Sequence, residues 1–321
     1  LQKILITGAT GFIGTHLTTF LVEKGYKIRT CSRHPGNTFI RPAGNPKIQH
    51  VTWNMEKEEI PETLLEDIDC IVNLASCLND HEAAIEAVNV AAAVKLFAKA
   101  QTKGVRHFIQ MSSAKVHGEA SYNTAFTEDS PCKPATPYAA SKFKAEMCMK
   151  NLANADSNQT CLTIIRPPLV YGPGAKGNIE KLVKWLAKGL PMPFASVKNK
   201  RSFIYIENLC DALITCIKKP ELSSRTFLVS DCHDISTCEL IQFISIGTGN
   251  RPILMPFPEQ LLKNALSLIL GKGIADRLSG SFQVDSSLFC RLLDWKPPYD
   301  LPKSLAKTGR WQMERGLKND R

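Results

Sequence analysis

Tyr138-Ala139-Ala140-Ser141-Lys142 sets a phenol and an ammonium four residues apart, a spacing that puts both on one face of a helix. An ammonium beside a phenol favours phenolate and draws its pKa down from near 10. Such a tyrosine is a usable general acid and base at a carbinol or carbonyl oxygen. Alone, this spacing arises often by chance. Ser112-Ser113 changes its weight, because the pair closes the apolar run His107-Phe108-Ile109-Gln110-Met111. That run reads as a buried strand, and open α/β sheets bind ligands at the carboxyl ends of their strands. There Ser113 can hydrogen-bond the same oxygen and orient it, so Ser113, Tyr138 and Lys142 are the candidate catalytic residues.

A second pattern precedes them. Gly8-Ala9-Thr10-Gly11-Phe12-Ile13-Gly14 follows the apolar run Lys3–Thr7 and opens a helical pattern reaching about Lys24. Glycines in a strand-to-helix turn permit a tight bend, close backbone approach to a pyrophosphate and close helix–strand packing. The spacing is GxxGxxG rather than GxGxxG. The reading is a dinucleotide site, with Gly8, Thr10, Gly11, Phe12, Ile13 and Gly14 against the phosphates. An NAD site usually offers an acid about 20 residues on, for the ribose hydroxyls. Here the run is Arg29-Thr30-Cys31-Ser32-Arg33-His34. Ser32 takes the place of the acid and Arg33 can pair with a 2′-phosphate, which favours NADP(H) and leaves NAD(H) open.

The elements that must position these groups follow a βα rhythm. Strands are expected at 3–7, 26–31, 68–76, 105–112 and 161–166, with helices to about 24, near 82–103 and near 138–153. Alternation of this length predicts a parallel sheet covered on both faces, a doubly wound α/β Rossmann fold. From about 167 the rhythm changes: Pro167, Pro168, Pro173, Pro191 and Pro193 punctuate shorter elements. A helix near 178–188, strands at 202–206 and 226–230, and an amphipathic helix around Leu301 to Met313 complete the pattern. The organisation expected is a dinucleotide-binding domain at 1–166 with returning segments near 200–230. A smaller, mixed α/β lobe at 167–321 is interleaved with it.

Composition bounds the rest. The chain has 321 residues, 44% hydrophobic and 22% charged, which excludes intrinsic disorder, collagen-like repeats and a small disulfide scaffold. A net charge of +10 attracts anions, but the bases are dispersed. Clusters such as Lys198, Lys200 and Arg201 are too short for a nucleic-acid tract, so no nucleic-acid partner is expected. The 11 Cys show no C-x-x-C pair and no metal spacing, nor do the 7 His, so no metal is expected. An odd cysteine count without a secretory leader fits a reducing cytoplasm. Leu261 to Leu270 is too short to span a bilayer, so no membrane partner is expected either.

Glycine turn, Ser, Tyr and Lys in this order resemble the extended short-chain dehydrogenase/reductases, specifically the NAD-dependent epimerase/dehydratase family acting on nucleotide sugars. The resemblance runs from Thr7-Gly8 to about Trp311 and implies a UDP-sugar substrate. It implies that Asn54 and Met55 hold the adenine, although the family more often has Asp first. It also implies that Leu74 and Ala75 pass the pyrophosphate, and that Asn89 stands behind the catalytic shell. Arg166-Pro167-Pro168-Leu169-Val170-Tyr171-Gly172-Pro173 matches the stretch passing the nicotinamide, which brings Pro168 to the cofactor. Asn178, Arg201 and Arg277 match residues that hold the substrate diphosphate; two guanidiniums bind phosphate oxygens bidentately. The family often dimerises through the helices near 82–103 and 138–153, so a homodimer is possible.

Within the family, 4,6-dehydratases carry Asp-Glu directly after the catalytic hydroxyl, where Ala114-Lys115 stands here. Dehydration is therefore not expected. Two chemistries at sugar C4 remain, 4-epimerisation with retained NAD and 4-keto reduction with exchangeable NADPH. Arg33, the segment Lys115-Val116-His117-Gly118 and likeness to a bacterial polysaccharide subgroup forming UDP-N-acetylquinovosamine lean toward reduction. A non-catalytic NADP-binding regulator is the remoter alternative. His117 reads as a packing or hydrogen-bonding residue more than as a second acid.

Overall fold

The computed structural model describes residues 2–33, 47–78, 81–121, 124–155, 160–270 and 279–319. Its main sheet has seven parallel strands: β1 (Lys3–Thr7), β2 (Lys27–Ser32), β3 (Ile48–Thr52), β4 (Cys70–Asn73), β5 (His107–Met111), β6 (Cys161–Arg166) and β9 (Thr226–Leu228). Their order is β3-β2-β1-β4-β5-β6-β9. The chain winds outward from β1 in both directions, so the order reverses between β1 and β4, where doubly wound sheets open a crevice. β3 is not foreseen by the apolar pattern, because its burial alternates weakly at the sheet edge.

Alternation along each strand separates two cores. Ile4, Ile6, Cys70, Val72 and Ile109 join one, under α1 (Phe12–Glu23) and α6 (Ile206–Lys218). Leu5, Ile71 and Phe108 join the other, beneath the helical run 82–102 and α4 (Pro137–Ala155). Central strands buried on both faces read as continuous apolar runs, and β1, β4 and β5 do so. The helical run has three parts: α2 (Glu82–Ile85), a π-helical stretch (Glu86–Ala92) and α3 (Ala93–Thr102). π-helical turns are rare and concentrate at functional positions; Asn89 lies in this one.

Beyond β6, β7 (Leu169–Tyr171) and β8 (Phe203–Tyr205) form a separate parallel pair. The remaining helices are α5 (Asn178–Ala187), the short α7 (Pro220–Ser223), α8 (Thr237–Thr248), α9 (Glu259–Leu270), α10 (Ser287–Leu293) and α11 (Leu301–Asn319); α7 packs on β6 and α10 on β9. A Ser236/Glu239 capping box starts α8, satisfying two otherwise orphan N–H groups. α8 and α11 touch at glycines: a Cβ on Gly247 would lie 1.7 Å from the Ala306 carbonyl oxygen, and one on Gly309 2.3 Å from that of Ile244. Residues 206–228 return to the large sheet as α6 and β9. No described helix is long and apolar enough to cross a membrane.

Candidate active site

Gly8 and Gly14 set the shape of the β1–α1 turn. Gly8 has φ +63°, and a Cβ there would lie 2.7 Å from the Ala75 nitrogen; one on Gly14 would lie 2.3 Å from the Gly8 carbonyl oxygen. Only glycine allows this approach of the turn to Leu74-Ala75 at the end of β4. α1 has Gly11 as its N-cap, with no side-chain cap and no acid in its first turn, which leaves its N-terminus open to an anion. Thr10 and Gly11 are exposed, and Phe12, Ile13, Leu74 and Ala75 half-buried. A pyrophosphate fits this cradle.

The three central strands are tied at their carboxyl ends by a polar rung. Thr7 Oγ1 donates to Asn73 Oδ1 and accepts from the Ala75 N–H at 3.2 Å, while Asn73 Nδ2 donates to Gln110 Oε1 at 2.7 Å. Sequence reasoning missed this rung. Its signal was a polar residue at or near the end of each apolar strand.

α4 carries Tyr138 and Lys142 on one face, as their spacing demands. Lys142 is buried; its Nζ donates to the Met111 carbonyl oxygen at 3.1 Å and lies 5.9 Å from the Tyr138 ring centroid. Burial pushes the Lys142 ammonium down to about 8, opposed by the Glu146 carboxylate. The phenol corrects the expectation from spacing. Burial raises Tyr138 above its ordinary value, opposed by a hydrogen bond from Ser76. The Lys142 ammonium is directed at the Met111 carbonyl rather than at the phenol oxygen. Ser113, half-buried, caps the 3₁₀ turn Ala114–His117, accepting from the Lys115 N–H at 3.2 Å.

Asn89 fastens α4 to the end of β4. Its Oδ1 accepts from the Cys77 N–H at 2.8 Å, and its Nδ2 donates to the Cys77 carbonyl at 2.9 Å and to Ser141 Oγ at 3.0 Å. Ser141 stands between Tyr138 and Lys142, so Asn89 positions the helix that bears them.

One helical turn beyond Lys142, Glu146 is fully buried in an ion pair with Arg166 and accepts from Ser112 Oγ; Arg166 Nε reaches Glu146 Oε1 at 3.0 Å. Arg166 Nη1 lies 3.0 Å from His117 Nε2, and His117 Nδ1 lies 3.1 Å from the Ser130 carbonyl. Arginine only donates, so Nε2 accepts and Nδ1–H donates, which fixes His117 as a neutral tautomer. Burial, then Arg166, holds His117 below its ordinary value. Glu146 continues the spacing of Tyr138 and Lys142, a signal the sequence offered.

The remaining predicted residues are spread around this centre. Ser32 Oγ lies 3.4 Å from His50 Nε2 at the end of β2, and Arg33 is exposed. Asn54 Oδ1 accepts from the Glu56 N–H at 3.1 Å, and Met55 packs on the core beneath α3. Pro168 is buried between β6 and β7. Asn178 is exposed at the start of α5. Pro173 accepts from His16 of α1 at 2.9 Å, which joins the segment before α5 to the glycine turn. Arg201 pairs through its backbone with Ile235, and its Nη1 donates to the Gly280 carbonyl at 3.0 Å. Arg277 lies outside the described residues. Among the described residues no group of three or more His, Cys, Asp or Glu is placed to hold a metal.

The profile of the family described as NAD dependent epimerase/dehydratase matches residues 4–229. The chain belongs to the NAD-dependent epimerase/dehydratase family. Within it, the chain is 35% identical over 317 residues to a UDP-glucose 4-epimerase of Vibrio cholerae, covering 96% of this chain and 94% of that protein. It is 24% identical to the N-acetyl-alpha-D-glucosaminyl-diphospho-ditrans,octacis-undecaprenol 4-epimerase of Escherichia coli O157:H7, covering 99% and 98%. The fold matches the crystal structure of a UDP-glucuronic acid 4-epimerase from Bacillus cereus in complex with NAD at TM-score 0.79 and 20% identity, covering 98% and 99%. A UDP-glucose 4-epimerase from Thermotoga maritima, with UDP-glucose, matches at TM-score 0.78 and 20% identity, covering 98% and 100%. This family member is therefore an NAD-dependent epimerase/dehydratase-family enzyme built on a Rossmann sheet.

Proposed function

We propose that the protein is a 4-epimerase of a UDP-hexose working with a retained NAD. The observation that carries this reading is near-full-length similarity to the Vibrio cholerae UDP-glucose 4-epimerase. Ser113 just past the end of β5, with Tyr138 and Lys142 on one face of α4, supports it. When bound, the dinucleotide supplies a hydride acceptor and donor for sugar C4. The glycine turn with Leu74 and Ala75 holds its pyrophosphate, Ser32, Asn54 and Met55 its adenosine half, and Pro168 and Lys142 its nicotinamide end.

Ser113 and Tyr138 hold the C4 oxygen. Tyr138 takes the hydroxyl proton as C4 becomes a carbonyl and gives it back once the keto sugar has presented its other face. Lys142, kept cationic by Glu146, stabilises the phenolate that burial disfavours. Asn178, Arg201 and Arg277 hold the diphosphate while the hexose turns. Ala114 and Lys115, the latter paired with Glu119 at 3.2 Å, put no carboxylate beside Ser113, which argues against dehydration.

One observation favours the second reading, 4-keto reduction with NADPH: β2 ends in Ser32-Arg33 with no acid. The test is to identify the nucleotide carried by the purified protein, then supply UDP-glucose or UDP-N-acetylglucosamine without added cofactor. Retained NAD and appearance of the C4 epimer are expected. An exchangeable site preferring NADPH, with stoichiometric NADPH consumption on a UDP-4-keto-6-deoxy sugar, would overturn epimerisation in favour of reduction.

A further inference from the structure

Cys232 and Cys290 come from segments far apart in the chain, yet their sulfurs lie 3.6 Å from each other. Cys232 is exposed and Cys290 half-buried. Cys31, Cys70, Cys210 and Cys216 are instead buried in apolar cores, where a thiol behaves as a small hydrophobe. The pair is held in register by other contacts. Ser230 Oγ hydrogen-bonds Ser286 Oγ at 2.9 Å and accepts from the Cys232 N–H at 3.2 Å. The Cys290 N–H donates to the Ser286 carbonyl at 3.0 Å. The same serine contact therefore sets both cysteines opposite each other. Cys232 also has φ +56°, a left-handed conformation costly for a residue with a Cβ and often found where function requires it.

We propose that Cys232 and Cys290 are a redox-modification site, a dithiol that a peroxide converts to a cystine and a thiol reductant restores. The hydrogen bond between the sulfurs draws the Cys290 thiol below its ordinary value while raising that of Cys232, and in the proposed sequence Cys290 is the first nucleophile. Its thiolate takes an oxygen from hydrogen peroxide, breaking the O–O bond and giving a sulfenic acid and hydroxide. Cys232 then attacks that sulfur; the S–S bond forms, the S–O bond breaks and water leaves. Two thiols lose two electrons and two protons, and one peroxide becomes two waters. The sulfurs must close from 3.6 Å to a bond of about 2.05 Å.

The cystine ties the segment after β9 to α10. Arg201 lies between Ile235, three residues beyond Cys232, and Gly280 and Phe282, in the segment that leads into α10.

The test uses the full chain and does not depend on its catalytic reading. Protein treated with hydrogen peroxide is alkylated, digested without reduction and mapped by mass spectrometry. The expected result is a Cys232–Cys290 cross-linked peptide pair, with alkylation of both cysteines falling in parallel by at least about tenfold and returning after phosphine reduction. In Cys290→Ser the cross-link is absent and Cys232 remains alkylatable. In Cys232→Ser, Cys290 accumulates a sulfenic acid trapped by dimedone. Both cysteines staying alkylatable in the wild-type protein, or cross-linking to other cysteines instead, would overturn the proposal.

Discussion

Tyr138 and Lys142 stand on a helix of 19 residues whose inner face is bonded at successive turns to other elements. Ser141 meets Asn89, Lys142 meets Met111 and Glu146 meets Arg166. Arg201 stands outside any regular element, half-exposed, held by an isolated bridge to Ile235 on one side and to Phe282 on the other. The first region fixes its groups through buried bonds between helix and strand ends, where water cannot compete. The second holds its groups at the surface through short backbone pairings. Chemistry that needs a proton donor placed to a fraction of an ångström suits the first. On the proposed function, grip on a diphosphate whose sugar must turn suits the second.

The sharpest way to break this contrast is Tyr138→Phe. Turnover should fall by about a thousandfold or more, about 4 kcal/mol in barrier, with dinucleotide affinity unchanged by equilibrium titration. Near-normal turnover would remove Tyr138 from the reaction.

The next effect concerns stability. Glu146→Gln leaves Arg166 charged and buried, and should cost about 3–5 kcal/mol in denaturant unfolding. Glu180→Gln breaks a pair on α5 whose Lys184 side chain is 68% exposed, and should cost under about 0.5 kcal/mol. Equal losses at the two sites would show that burial does not set the worth of the Glu146–Arg166 pair that anchors α4.

The smallest effect sharpens the division of labour. Arg201→Ala should raise KM for the sugar nucleotide about tenfold, about 1.4 kcal/mol, with kcat nearly unchanged. A fall in kcat with constant KM would make Arg201 part of the reacting centre.

The central strands, the glycine turn and the shared helix face of Tyr138 and Lys142 were legible because each rests on local rules. Apolar runs of strand length mark strands buried on both faces, glycines mark a turn no side chain can enter, and a spacing of four marks one helix face. β3 escaped notice because an edge strand buries too little to pattern its sequence. The long sheet-covering helix α6 was missed as well, since Pro-punctuated surroundings drew attention to shorter elements. Asn89 was recognised only by resemblance; what it holds, Cys77 and Ser141, depends on chain segments that meet only after folding.

The residue types, their order and the parallel α/β architecture were thus determined by the sequence itself, through burial periodicity and backbone conformational limits. The protonation of the site was decided by tertiary structure. Tyr138 sits above its ordinary value and Lys142 at about 8 because folding strips water from both and brings Glu146 within reach of Lys142. The meeting of Cys232 with Cys290, and of Arg201 with Gly280, belongs to the same class. Spacing along the chain fixes which neighbours share a helix face, while desolvation and contacts between distant segments exist only once the chain has closed on itself.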